Sequence, residues 1–260
     1  MHILKHSTLI LLQLLDLRVN LSYTWDMNIP LTSQLPGLGT LALVGSGEYL
    51  PGVDDLDRRL LERLDGPARV VCLPTAAGTE GDTRIQYWCD LGVAHFSQLG
   101  VSQVEALWVI DRASALDVAL AERVAEANFV YLSGGKPAYL HTTLVGTPVW
   151  EAILEVLRRG GVVAGCSAGA MIFGERIPTS LFSSQWQPAF GLLPGAFVIP
   201  HYDEIPRMML QGMRLVAGKL TVVGIEGSTA LVCGPEGISI QGRGAVAVIA
   251  EGKEARYVMR

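Results

Sequence analysis

The residues best placed to do chemistry lie in Gly165-x-Ser167-x-Gly169, which follows the apolar run Gly161–Ala164 and leads into small and apolar residues. This is the pattern of a nucleophile elbow, in which a strand turns sharply into a helix and holds one serine out at the tip. Side chains on either flank of so tight a turn would collide with the neighbouring strand and helix, which accounts for the two glycines. A serine hydroxyl becomes a useful nucleophile only when a base takes its proton. Of the five histidines, His2 and His6 lie near the N-terminus, and His95 and His141 fall inside predicted helices, where a surface or packing role is expected. His201 follows Pro200 at the end of an apolar run and comes after the serine, the chain order of α/β-hydrolase triads.

A third member, a carboxylate, should orient the imidazole and stabilise the imidazolium. The one acidic residue between Ser167 and His201 is Glu175, which makes it the candidate by chain order; a solvated charge at a helix end is the alternative reading. Asp203 and Glu204 follow His201 closely, and Glu226 ends a predicted strand. An oxyanion hole needs backbone N–H donors aimed at one point. Ala168, next after the serine, should supply one; the Gly134-Gly135 pair at the end of another predicted strand could supply the other, a plain tight turn being the alternative reading.

These residues require a scaffold. The chain has 260 residues, 50% of them hydrophobic and 17% charged, enough apolar material for a large core and for parallel strands covered on both faces. Short apolar runs at 40–44, 69–74, 103–110, 129–133 and 161–166 alternate with helical patterns at 54–64, 83–99, 114–127, 137–145 and 148–159. That alternation predicts an α/β fold with a doubly wound, mostly parallel sheet flanked by helices, its loops gathered at the carboxyl edge. Gly92 argues against a single unbroken helix over 83–99. Beyond 206–219, another predicted helix, short β segments at 220–225, 230–233, 238–240 and 245–249 read as C-terminal hairpins closing the sheet edge. Residues 1–36 are expected to form an extension outside the core fold, with Met27 an alternative start, and 37–260 a single domain.

Several classes of function are disfavoured. Gly45-x-Gly47 lacks a third glycine and no phosphate-binding Lys-Ser/Thr follows, so dinucleotide and P-loop readings are weak. A net charge of −5 with no basic run argues against nucleic-acid binding. The apolar stretch Ser7–Leu17 is shorter than the roughly 20 residues of a spanning helix, so no membrane association is expected. Cys72, Cys89, Cys166 and Cys233 show no CxxC spacing, which points to reduced thiols, no metal site and a cytoplasmic location.

Together, Gly165-Cys166-Ser167-Ala168-Gly169-Ala170, Leu132-Ser133-Gly134-Gly135, Gly191-Leu192-Leu193-Pro194 leading to His201, Gly224-Ile225-Glu226-Gly227-Ser228-Thr229-Ala230 and Gly242-x-Gly244-Ala245-Val246 resemble the cyanophycinase and dipeptidase E serine peptidases. The resemblance implies a class I glutamine amidotransferase-like fold with serine in place of the amidotransferase cysteine. It also implies cleavage of peptide or isopeptide bonds next to aspartate without metal or organic cofactor. It maps the nucleophile onto Ser167, the base onto His201 and the oxyanion donors onto Gly135 and Ala168, and suits a small peptide or amino-acid-derived substrate and a homodimer.

Three positions depart from that pattern. Lys136-Pro137 replaces an Asp or Asn and then Gln after the paired glycines, and Ile199-Pro200 replaces an Asp-Gln pair before the histidine. Phe182, Ser183 and Ser184 stand where the family's triad acid is expected. Lys136, as a substrate-binding residue, and Arg207 are cations that could meet an acidic substrate group, ordinary surface charges being the alternative reading. These departures motivate a second reading, a small-molecule-binding protein that kept the fold without the catalysis; a third, an amidotransferase-like enzyme using Cys166, is disfavoured because Cys166 sits one residue short of the elbow tip.

Overall fold

A computed structural model describes residues 31–179 and 185–259; Phe182, Ser183, Ser184 and Met27 lie outside them. Strands β1 (Thr40–Val44), β2 (Arg69–Leu73), β3 (Gln103–Ala106), β4 (Phe129–Leu132) and β5 (Val162–Cys166) alternate with helices. These are α1 (Asp54–Leu61), α2 (Asp82–Gln98), α3 (Arg112–Ala115), α4 (Val118–Glu126), α5 (Pro137–Leu144) and α6 (Pro148–Arg158). The five strands pair in parallel in the order β3-β2-β4-β5-β1.

Residues of these strands alternate between the two faces, as the period of two requires. Leu41, Leu43, Val71, Leu73, Val130, Leu132 and Val163 pack with the apolar faces of α4, α5 and α6. Ala42, Val44, Val70, Cys72, Phe129, Tyr131, Val162, Ala164 and Cys166 pack on the opposite side with Leu56 and Leu60 of α1 and Phe96 of α2. Burial on both faces explains why β1, β4 and β5 read as unbroken apolar runs.

Some elements differ from the sequence expectation. Helix α2 runs unbroken through Gly92, where an added Cβ would stand 2.9 Å from Cys72 Sγ. The glycine there admits close packing on β2 and does not break the helix. The helix expected over 114–127 is two, capped by the Asp111 and Asp117 side chains. After α7 (Ala168–Met171) come the short strands β6 (Arg176–Pro178) and β7 (Trp186–Pro188), then β8 (Ala196–Ile199), α8 (Arg207–Ala217), β9 (Thr221–Ile225), β10 (Thr229–Gly234), β11 (Gly237–Gly242), β12 (Ala245–Ala250) and β13 (Lys253–Val258). Of the C-terminal strands, the β10–β11 hairpin extends the main sheet antiparallel to β1. Strands β6 and β7 pair with each other, and β8, β9, β12 and β13 form a further sheet in the order β13-β12-β9-β8, in which Phe197, Ile199, Val222, Ala247 and Ile249 pack under α8. Residues 31–36, expected outside the fold, touch it: Gln34 N–H donates to Leu192 O at 2.8 Å, and Leu31 and Leu35 pack on the core.

Candidate active site

Parallel register brings the carboxyl ends of the central strands level. Val44 pairs with Cys166, Gly165 with Leu132 and Leu132 with Leu73, so the turns after β1, β5, β4 and β2 emerge side by side. Ser167 is the turn after β5, with φ 53° and ψ −109°, a conformation rare for a side-chain-bearing residue. Its N–H donates to Val44 O at 3.0 Å, and Met171 N–H donates back to its carbonyl at 3.1 Å, holding the turn from both sides. A Cβ on Gly165 would fall 2.4 Å from Gly169 O, and one on Gly169 would fall 2.5 Å from Leu132 O. The flanking glycines are therefore a steric requirement of the elbow.

His201 also has a positive φ, 53°. Strand β8 carries the chain to it, and its N–H donates to Gly45 O at 3.3 Å. Its Nε2 stands 3.1 Å from Ser167 Oγ, and its Nδ1 stands 3.1 Å from Glu204 Oε2. Glu204 N–H donates to His201 O at 2.9 Å, so one tight turn folds the carboxylate back onto the ring. Ser46 Oγ, buried after β1, donates to the other oxygen, Glu204 Oε1, at 3.3 Å. With Nδ1–H donating to the carboxylate, Nε2 presents its lone pair to the serine hydroxyl, the tautomer a general base needs.

The turn after β4 arranges its N–H groups unequally. Gly134 N–H donates to Glu48 Oε1 at 3.0 Å and Lys136 N–H to Ala76 O at 2.9 Å. Among the described residues, no protein acceptor meets Gly135 N–H or Ala168 N–H, and both residues border the cleft at Ser167. These two donors are the ones free for an oxyanion. Gly135 has φ 143°, and a Cβ there would fall 2.4 Å from Ala76 O, so this backbone conformation belongs to glycine.

Ser167, His201, Gly135, Ala168 and Lys136 thus border one cleft of about 850 Å³. Glu175, the carboxylate expected by chain order, is elsewhere: its Oε2 accepts from Gly195 N–H at 2.7 Å, tying the chain just before β8. The His201 ring finds its carboxylate in Glu204. Cys166 is fully buried on the α1/α2 side of the sheet, and its thiol donates to Glu48 Oε2 at 3.1 Å. Burial first, and the Glu48 carboxylate second, push that thiol well above its ordinary range, so it is neither exposed nor ionised. Lys136 Nζ donates to Thr79 Oγ1 at 2.8 Å at the cleft's rim. Arg207 is not on the cleft; it borders a separate depression of about 380 Å³ with Arg214, Glu226, Glu254 and Arg256. No motif in the sequence marks Ser46 or Glu48, and Glu204 is one of several carboxylates near His201 in the chain. The signal available was position, since Ser46 and Glu48 directly follow β1 at the carboxyl edge.

Fold and side chains together define an α/β protein built around a nucleophile elbow that faces a histidine–carboxylate pair. The chain belongs to Peptidase family S51, whose signature matches residues 41–240, in agreement with the cyanophycinase and dipeptidase E resemblance. It is 26% identical over 200 residues to the cyanophycinase of Synechococcus elongatus, covering 72% of this chain and 61% of that one. It is also 26% identical to the cyanophycinase of Geminocystis herdmanii (strain PCC 6308), over 65% of each chain. The chain therefore spans under two thirds of the length of these curated relatives. Among solved structures, a peptidase from an acI-B1 Actinobacterium superposes with a TM-score of 0.77 at 33% identity, covering 87% of this chain and 96% of that one. No helix among the described residues is long and apolar enough to cross a membrane.

Proposed function

We propose that the protein is a serine peptidase acting on small peptides, with Ser167 as nucleophile, His201 as general base and Glu204 as the acid of the triad. The observation that carries this reading is the 3.1 Å approach of Ser167 Oγ to His201 Nε2, with Glu204 on the other ring nitrogen. Ser167 Oγ attacks the scissile carbonyl as Nε2 takes its proton. The oxyanion forms against Gly135 N–H and Ala168 N–H, and Glu204 stabilises the imidazolium. The imidazolium then protonates the departing amine, and water, deprotonated by the same Nε2, releases the acyl group from Ser167.

Family membership and the 33% identity to a solved peptidase support this reading. The Cys166 alternative is disfavoured by the burial of that thiol. The non-catalytic alternative rests on an uncertain acid and on altered recognition positions; the Glu204 carboxylate beside His201 weighs against the first of these. Four free, buried cysteines support a reducing, cytoplasmic location. Exposed Met208 and Leu215 on α8 support a homodimer, which sedimentation would test.

Labelling with a small fluorophosphonate tests the nucleophile. A single adduct on Ser167 is expected, retained in Cys166→Ala and absent in folded Ser167→Ala. No adduct on folded wild-type protein would contradict the assignment.

A further inference from the structure

The cleft at Ser167 differs in character from its rim. Its walls are formed by Met171 from the elbow helix, Phe197 and Ile199 from β8, Ile205 from the following turn, and Met209 and Met213 from α8. Among the described residues, the side chains on the cleft that carry charge near neutral pH are His201 and Lys136, the latter beside the Gly135 N–H. Two polar groups of the wall are already engaged: Tyr139 O–H donates to Ile110 O and Thr142 Oγ1 to Ala138 O, each at 2.8 Å. Arg207, the other cation that could meet an acidic group, borders the neighbouring depression.

A carboxylate or guanidinium entering this cleft would lose water and, among the described residues, meet no charged side chain along the walls beyond Lys136 at the rim and His201 at the serine, a costly transfer. An apolar side chain would gain from burial against aliphatic, aromatic and thioether surface. The paired methionines of α8 are unbranched and adapt to side chains of different shape. Lys136, with one N–H committed to Thr79, keeps two others. That is enough for one carboxylate at the rim, such as a peptide's own terminus.

Building on the Ser167 assignment above, we infer that the site selects short peptides with a bulky apolar residue adjoining the scissile bond, not the acidic residue that the family resemblance implies. The test uses X-Ala and Ala-X dipeptides and blocked Ala-X-Ala peptides, with X = Leu, Phe, Met, Asp or Arg. Each is assayed by mass spectrometry beside fluorophosphonate labelling of the same preparation. The expected result is a kcat/KM at least about tenfold higher for Leu, Phe or Met than for Asp or Arg, the scale of discrimination an apolar pocket provides. Met209→Glu changes a partly exposed wall position and should raise KM for the Phe and Leu peptides about tenfold. Turnover of the Asp or Arg peptides equal to or above the apolar ones would overturn the inference. So would no turnover of any apolar peptide by protein whose Ser167 labels, or an unchanged KM in Met209→Glu. Absence of labelling would instead overturn the nucleophile assignment on which the inference rests.

Discussion

Glu204 Oε2 lies 3.1 Å from His201 Nδ1, although only two residues separate them in the chain. The turn that permits this begins at the positive φ of His201 and is closed by Glu204 N–H on His201 O. The carboxylate is exposed on its solvent side, so its orientation depends on Ser46 Oγ at 3.3 Å. On the proposed triad, Ser46 would act through Glu204, as a positioning residue. Ser46→Ala removes one hydrogen bond to a charged group, worth about 1.5 kcal/mol, and should lower kcat about tenfold with KM little changed. A fall in thermal stability with kcat intact would assign Ser46 a purely structural role.

Glu48 ties the turn that carries Gly135 to the elbow strand, accepting from Gly134 N–H at 3.0 Å and from Cys166 Sγ at 3.1 Å. Glu48→Ala leaves a buried N–H and a buried thiol without their acceptor. It should cost about 1–3 kcal/mol of stability, read from urea unfolding. It should also lower kcat, because the loosened turn no longer fixes Gly135 N–H. An unchanged urea midpoint would show that neither bond contributes.

Burial raises the Cys72 and Cys233 thiols from 9.0 to about 12 in the folded protein. A raised pKa means that folding favours the protonated thiol. This contribution is intact below the unfolded value near 9 and is lost as pH climbs from there toward about 12. Each thiol should remove up to about 1.4 kcal/mol per pH unit in that window. Urea unfolding at about pH 8 and about pH 10.5 should show a smaller alkaline loss in Cys233→Ala than in wild type. Parallel losses would mean that the thiol does not titrate differently on folding.

Much of the scaffold was legible in the residues themselves, because local rules govern it. Leu41, Val44, Tyr131 and Ala164 sit on strands buried on both faces, and such strands read as apolar runs. Gly165 and Gly169 mark a turn where any Cβ would strike backbone. Glu175 looked right by chain order, but Gly195 N–H claims it, a contact between segments whose pairing no local pattern reveals. Glu204 was less legible because its role comes from a turn that reverses the chain within three residues. Ser46 and Glu48 depend on β1 lying beside β5, strands far apart in sequence. The split of the C-terminal strands had the same cause: β9 and β10 are separated by three residues yet join different sheets. Alternation alone does not say which neighbour a strand selects.

The rate at which a small fluorophosphonate modifies Ser167 reads the triad without reference to any substrate. Measured on wild type, Glu204→Gln and Glu175→Gln, it should fall on the order of 100-fold in Glu204→Gln, whose amide cannot stabilise the imidazolium as a carboxylate does. It should stay within about threefold in Glu175→Gln. An unchanged rate in folded Glu204→Gln, or a larger loss in Glu175→Gln, would contradict the Ser167–His201–Glu204 relay.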